Sequence, residues 1–141
     1  MKLVHGIRNL CVGLGLFAAA ILSPIHAGNV TNAGDDLRTG WYPSEGFITP
    51  AIVSGGSFGQ RWNVSINGQV YAQPLYANGQ VFVATETNWV YSIDADTGTV
   101  LWSKQLDVPW NPSDSGCNDL TPSFGVTGTP VIDDDINTVY L

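Results

Sequence analysis

From Phe58 onward the chain alternates short apolar runs with tight-turn residues. Five runs read as strands: residues 61–65, 70–76, 80–85, 89–93 and 100–106. The runs are too short for helices and are rich in aromatic and β-branched residues. Turn signals separate them at Asn67-Gly68, Asn78-Gly79 and Asp96-Thr97-Gly98. Asn-Gly between two such runs favours a two-residue hairpin, because both central residues must take positive φ. No stretch after Phe58 has a helical period, so residues 70–106 are expected to form a four-stranded antiparallel meander.

The meander then starts again. Gln73-Pro74-Leu75-Tyr76 is echoed by Thr129-Pro130-Val131-Ile132, and Val81-Phe82-Val83 by Val139-Tyr140-Leu141. A second echo joins Arg61-Trp62 to Leu101-Trp102. The order Trp strand, turn, X-Pro strand, turn, apolar strand therefore occurs twice. The offsets, 56 and 58 residues, suit a four-stranded propeller blade of roughly 40–50 residues plus an insertion. The insertion falls within residues 107–127, where Pro109, Pro112, Gly116, Pro122 and Gly125 give a surface-loop composition. The expected fold is all-β: about one complete blade with pieces of two others.

The N-terminus has a different character. Lys2, His5 and Arg8 precede an apolar run over residues 10–22, broken by Ser23-Pro24. The run is shorter than the roughly 20 residues that span a bilayer. It matches a helical signal peptide, residues 1–27, with cleavage after Ala27 and export to the periplasm, cell surface or medium. Residues 28–57, rich in Gly, Asn, Thr, Ser and Pro, are expected to form an extended lead-in. Its order should be loose before Trp41, with Trp41, Tyr42, Phe47 and Ile48 pinning it to the body. Helix is expected in the leader alone, and the partial propeller occupies residues 58–141.

After cleavage three basic residues face twelve acidic ones, a net charge of −9. Such a surface repels phosphate backbones and anionic lipid, which argues against nucleic-acid and membrane partners. Cys11 leaves with the leader, and Cys117 remains as a single thiol in an exported chain. It is either a free buried thiol, half of an intermolecular pair, or bonded to a cysteine beyond Leu141. The last alternative is preferred, because stopping at Val139-Tyr140-Leu141 would leave a bare strand edge and an open apolar face. The missing C-terminal blades of the same chain are the expected partner.

Residues 92–102, Ser-Ile-Asp-Ala-Asp-Thr-Gly-Thr-Val-Leu-Trp, resemble the tryptophan-docking repeat of quinoprotein dehydrogenases and their relatives. The family pattern is Ala-x-Asp-x-x-Thr-Gly-Lys-x-x-Trp. Asp94, Thr97, Gly98 and Trp102 match it, while Ser92 stands for Ala and Thr99 for Lys. Residues 35–141 look like the start of large exported bacterial proteins of this kind. The resemblance implies a quinoprotein-like β-propeller, in which Trp102 fills the seam to a neighbouring blade. Asp94 would hold the turn through its backbone N–H groups, and Gly98 would supply positive φ.

Chemistry is thinly represented. Asp94-x-Asp96-x-Gly98 falls short of an EF-hand loop, with Gly at the fifth position rather than the sixth and Gln105 at the twelfth. Asp133-Asp134-Asp135 reads as a solvated turn, and no metal site is expected. Glu86 and Asp94 form no acid–base pair, and no nucleophile motif is present. Catalytic members of the resembling family carry pyrroloquinoline quinone (PQQ), calcium and an adjacent Cys-Cys pair. The mature stretch has one Cys, so no such role transfers to a residue here. PQQ and calcium enter only if the full-length protein is catalytic. Three functions remain: a non-catalytic binding or surface-assembly scaffold, which is favoured; a PQQ-dependent alcohol or sugar dehydrogenase with its site downstream of residue 141; or another enzyme or sensor appended to the propeller.

Overall fold

The computed structural model describes residues 28–141, apart from Ser44, Gly46, Cys117 and Asn118. The leader and the bonding of Cys117 therefore lie outside the described residues. Four strands make one antiparallel sheet in chain order: β1 (Leu75–Ala77), β2 (Gln80–Ala84), β3 (Trp89–Asp94) and β4 (Val100–Gln105). A second hairpin follows, β5 (Val131–Asp133) with β6 (Thr138–Tyr140). The protein is thus an all-β chain with one propeller-type blade and part of another, and the sheet is not closed.

Local chemistry sets the register. Ala77 pairs with Gln80, leaving Asn78 and Gly79 as the whole turn. Their φ angles are 50° and 75°, the two positive values that a type I′ hairpin demands. Between β3 and β4 the register slips: Ser92 pairs with Trp102 but Ile93 with Val100, so Leu101 is the bulged residue. The bulge places Phe82, Ser92 and Trp102 in one cross-strand row. Ser92 is small enough that the two rings meet over it, with centroids 6.2 Å apart.

Strand alternation gives the sheet two apolar faces. One face carries Leu75, Ala77 and Phe82, covered by Ile132 and Val139 of the second hairpin and by Val30. The other carries Val83, Tyr91 and Ile93, covered by Trp62, Val64 and Ile66. The blade is therefore sandwiched: the following hairpin lies on one side and the preceding stretch of chain on the other.

Several expectations need correction. Only Leu75 onward of residues 70–76 pairs as a strand, because residues 69–74 reach instead toward the β2–β3 turn and Thr129. Residues 61–65 are extended and alternate between exposed and half-buried, yet they join no sheet among the described residues. The lead-in is pinned by other residues than expected. Trp41 is 72% exposed and Phe47 87%, with Tyr42 and Ile48 also exposed. Asn29 pairs with Tyr76 through both backbone bonds, Val30 accepts from the Ile132 N–H, and Thr31 is buried. Residues 29–33, within the part before Trp41, are thus fastened to the body, because their backbone bonds to β1, Gln73 and β5.

Helix is not confined to the leader. A short α1 (Pro50–Ser54) and a 3₁₀ turn (Pro112–Ser115) are present. In each, a polar N-cap side chain, Thr49 or Asn111, accepts from the backbone while proline opens the turn. Neither signal has a period long enough to register as helix in the sequence.

Leu75 is 1% exposed at the centre of the first face. Its replacement, Leu75→Ala, should lower unfolding free energy by about 2–5 kcal/mol. Denaturant titration of the two proteins measures this directly.

Candidate functional site

Three of the residues singled out in the sequence, Asp94, Thr97 and Gly98, form the β3–β4 turn. Asp94 ends β3 and its Oδ1 accepts from three donors of its own turn: the Asp96 N–H at 3.1 Å, the Thr97 N–H at 2.8 Å and the Thr97 hydroxyl at 2.8 Å. The Gly98 N–H closes the turn on the Asp94 carbonyl at 2.9 Å, with Gly98 at φ 73°. The Thr97 hydroxyl bond, followed by the Thr97 backbone bond, holds the Asp94 carboxyl below the ordinary aspartate range, against the opposing effect of desolvation. The turn is also tied to its neighbour, since the Ala95 N–H donates to the Gly79 carbonyl at 2.9 Å.

The ring that occupies this turn is Trp62, which sequence reasoning placed only as an echo of Trp102. Its indole N–H donates to the Ala95 carbonyl at 2.8 Å. A Cβ built on Gly98 would fall 2.8 Å from Trp62 ring atoms. Gly98 thus serves twice, as the positive-φ residue of the turn and as the bare backbone that an indole needs for close approach. Arg61 meets Asp96 at 3.3 Å, but both side chains are exposed and the pair adds little.

Trp102 does not touch the Asp94–Gly98 turn of its own blade. It stands on β4, 44% exposed, beside a cleft of about 230 Å³ bordered by Ala77, Phe82, Ile132 and Val139. It therefore faces the second hairpin across the seam between the two sheets.

The opposite end of the sheet holds a residue whose place the sequence did not reveal. Glu86, in the β2–β3 turn, is fully buried. Its Oε2 accepts from the Gly125 N–H at 2.8 Å, and its backbone N–H donates to the Gln69 carbonyl at 2.9 Å. Oε1 makes no hydrogen bond among the described residues. A Cβ on Gly125 would lie 2.6 Å from the Glu86 carbonyl oxygen, so glycine alone fits this contact. Glu86 clamps the insertion loop onto the blade. An isolated acid in a polar turn carries no sequence signal for that role, because its partner is a backbone group 39 positions away.

Two of these carboxylates are already engaged by groups of the protein. Asp94 Oδ1 is saturated by its own turn, and Asp96 is turned to Arg61. Among the described residues, no three His, Cys, Asp or Glu side chains gather as a metal-binding group. Asp133 caps the β5–β6 turn as Asp94 caps its own, accepting from the Asp135 N–H at 3.1 Å. Among the described residues, no helix is long and apolar enough to cross a membrane.

Comparison with known proteins gives a consistent picture. Residues 57–140 match the family model described as outer membrane protein assembly factor BamB, of the PQQ-repeat type. A protein of that name from Burkholderia pseudomallei is 33% identical over 89 residues, covering 57% of this chain and 23% of the relative. The dehydrogenase subunit of a quinone-type alcohol dehydrogenase from Gluconobacter oxydans is 34% identical over 59 residues, covering 42% of this chain and 8% of the relative. The chain thus spans less than a quarter of the length of these curated relatives.

Two outcomes follow from the turn. Gly98→Ala should destabilise the protein by more than the roughly 1–2 kcal/mol that left-handed backbone costs an L-residue, since the methyl also strikes Trp62. Thermal unfolding followed by tryptophan fluorescence reads the loss. Asp94 has a folded pKa below its unfolded value. Its contribution is complete above the unfolded pKa and fades as pH falls through that value toward the folded one. Asp94→Asn should flatten this acid-side decline in a pH series of unfolding midpoints.

Proposed function

The chain belongs to the PQQ-repeat family described as outer membrane protein assembly factor BamB, and we propose that it is part of an exported β-propeller serving as a non-catalytic scaffold for binding or assembly. The observation that carries this reading is the commitment of the motif to blade stacking. Asp94 and Thr97 are engaged in their own turn, and Gly98 and the Ala95 carbonyl receive the Trp62 indole. Trp102 presents the same kind of ring to the following hairpin. The relative from Burkholderia, whose name describes assembly rather than catalysis, supports the same reading.

A second reading rests on the relative from Gluconobacter: a PQQ-dependent alcohol or sugar dehydrogenase with its active site downstream of residue 141. The two separate cleanly in the purified full-length protein supplied with PQQ and calcium. The scaffold reading expects no quinone absorbance band retained on desalting and no calcium-dependent dye reduction with alcohols or sugars. Retention of the quinone with turnover overturns it in favour of the dehydrogenase.

Export is the remaining part of the proposal. It is supported by the basic start, the short apolar run and the small residue at Ala27. The protein recovered outside the cytoplasm should begin at Gly28, as read by intact mass or N-terminal sequencing. An intact Met1 terminus on cytoplasmic protein contradicts export.

A further inference from the structure

We propose that Asn78 is a site of spontaneous backbone modification, where the side-chain amide is lost and the chain is rejoined as isoaspartate, and that this change loosens the turn on which Trp62 docks. The inference goes beyond the propeller reading and holds whichever function the whole protein serves.

The chemistry needs an asparagine amide within reach of the next residue's backbone nitrogen, with little bulk on that residue. Among the described residues two asparagines precede glycine, Asn67 and Asn78. The fold treats them differently. Asn67 is held three ways: its Oδ1 and its carbonyl both accept from the Thr87 hydroxyl, at 2.8 and 3.0 Å, and its N–H donates to the Tyr91 hydroxyl at 2.9 Å. A Cβ on Gly68 would collide with the same Thr87 hydroxyl, so that glycine is wedged in place. Asn78 stands exposed at the tip of the β1–β2 hairpin. Among the described residues neither its side chain nor the Gly79 N–H makes a hydrogen bond, and a Cβ on Gly79 would meet nothing within 4 Å. Asn88 and Asn137 share its left-handed backbone, with φ of 59° and 51° against 50°, but Trp89 and Thr138 follow them. A side chain there crowds the attacking nitrogen, and glycine does not.

The step needs no partner but water. The Gly79 nitrogen gives its proton to solvent and bonds to Cγ of Asn78. The amide Cγ–N bond breaks and ammonia leaves, closing a cyclic imide. Water then opens the ring at one of its two carbonyls. Cleavage of the new Cγ–N bond gives aspartate with the original backbone. Cleavage of the original peptide bond routes the backbone through Cβ and Cγ as isoaspartate, and the loop gains a backbone atom. Asn78 and Gly79 are the whole connection between Ala77 and Gln80, so no slack absorbs it. The Gly79 carbonyl accepts from the Ala95 N–H at 2.9 Å, and the Ala95 carbonyl accepts the Trp62 indole N–H at 2.8 Å. A displaced Gly79 therefore reaches the docking turn through one residue.

Ageing the purified full-length protein at neutral pH tests this, read by peptide mapping and an isoaspartate-specific methyltransferase. Acid should accumulate at position 78 at least about tenfold faster than at 67, 88 or 137, and denaturing the protein should raise position 67 to the rate of 78. Equal rates at 67 and 78 in the folded protein, or no conversion at 78, overturn the site. The isoaspartate form, separated by charge, should unfold at a lower temperature and exchange the Trp62 indole N–H faster than unaged protein. Asn78→Asp keeps the loop length and suits the same turn, so it should unfold like the natural sequence. An isoaspartate form as stable as unaged protein overturns the link to the docking turn. A loss in Asn78→Asp equal to that of the isoaspartate form assigns the effect to charge and overturns the loop-length argument.

Discussion

An indole can approach a backbone to van der Waals distance only where no Cβ intervenes, and that constraint organises this blade. Gly98 provides the gap, the Ala95 carbonyl provides an acceptor, and Trp62 fills both at once. The turn must be held rigid for the gap to face the ring. Asp94 does this by drawing the Asp96 and Thr97 N–H groups onto one oxygen. The short Ser92 side chain then lets Phe82 and Trp102 meet on the opposite face. A single turn thereby couples what lies on one side of the sheet to what lies on the other.

Most of the blade was legible because its signals are local. The Asn78-Gly79 hairpin, the alternation of β2 and β3 and the Asp94–Gly98 turn each follow from neighbouring residues. What the sequence hid depends on distant contacts. The pinning of residues 29–31 uses backbone groups, which leave no trace in residue type, whereas the conspicuous Trp41 and Phe47 point into solvent. The β1 strand starts late because residues 69 and 73 are bonded to Glu86 and Thr129 rather than to a strand.

The candidate site was only half legible. Asp94, Thr97 and Gly98 could be read from the motif, but the motif's own Trp102 does not return to them. The ring that sits there comes from one repeat earlier, as expected if each tryptophan serves the blade that follows it. Glu86 was unreadable for a related reason. Its partner, the Gly125 N–H, belongs to an inserted loop with no counterpart in the first repeat. Both cases show a repeat whose chemistry lies between units rather than within one.

The docking contact is tested most directly by a double-mutant cycle between Trp62 and Gly98 in the full-length protein. Gly98→Ala should cost markedly less in a Trp62→Ala background than in the natural sequence, because the added methyl then has room. A coupling of about 0.5–3 kcal/mol in chemical denaturation is the predicted result, the range for residues in direct contact. Strict additivity of the two substitutions would contradict the contact and, with it, the account of how this blade is held.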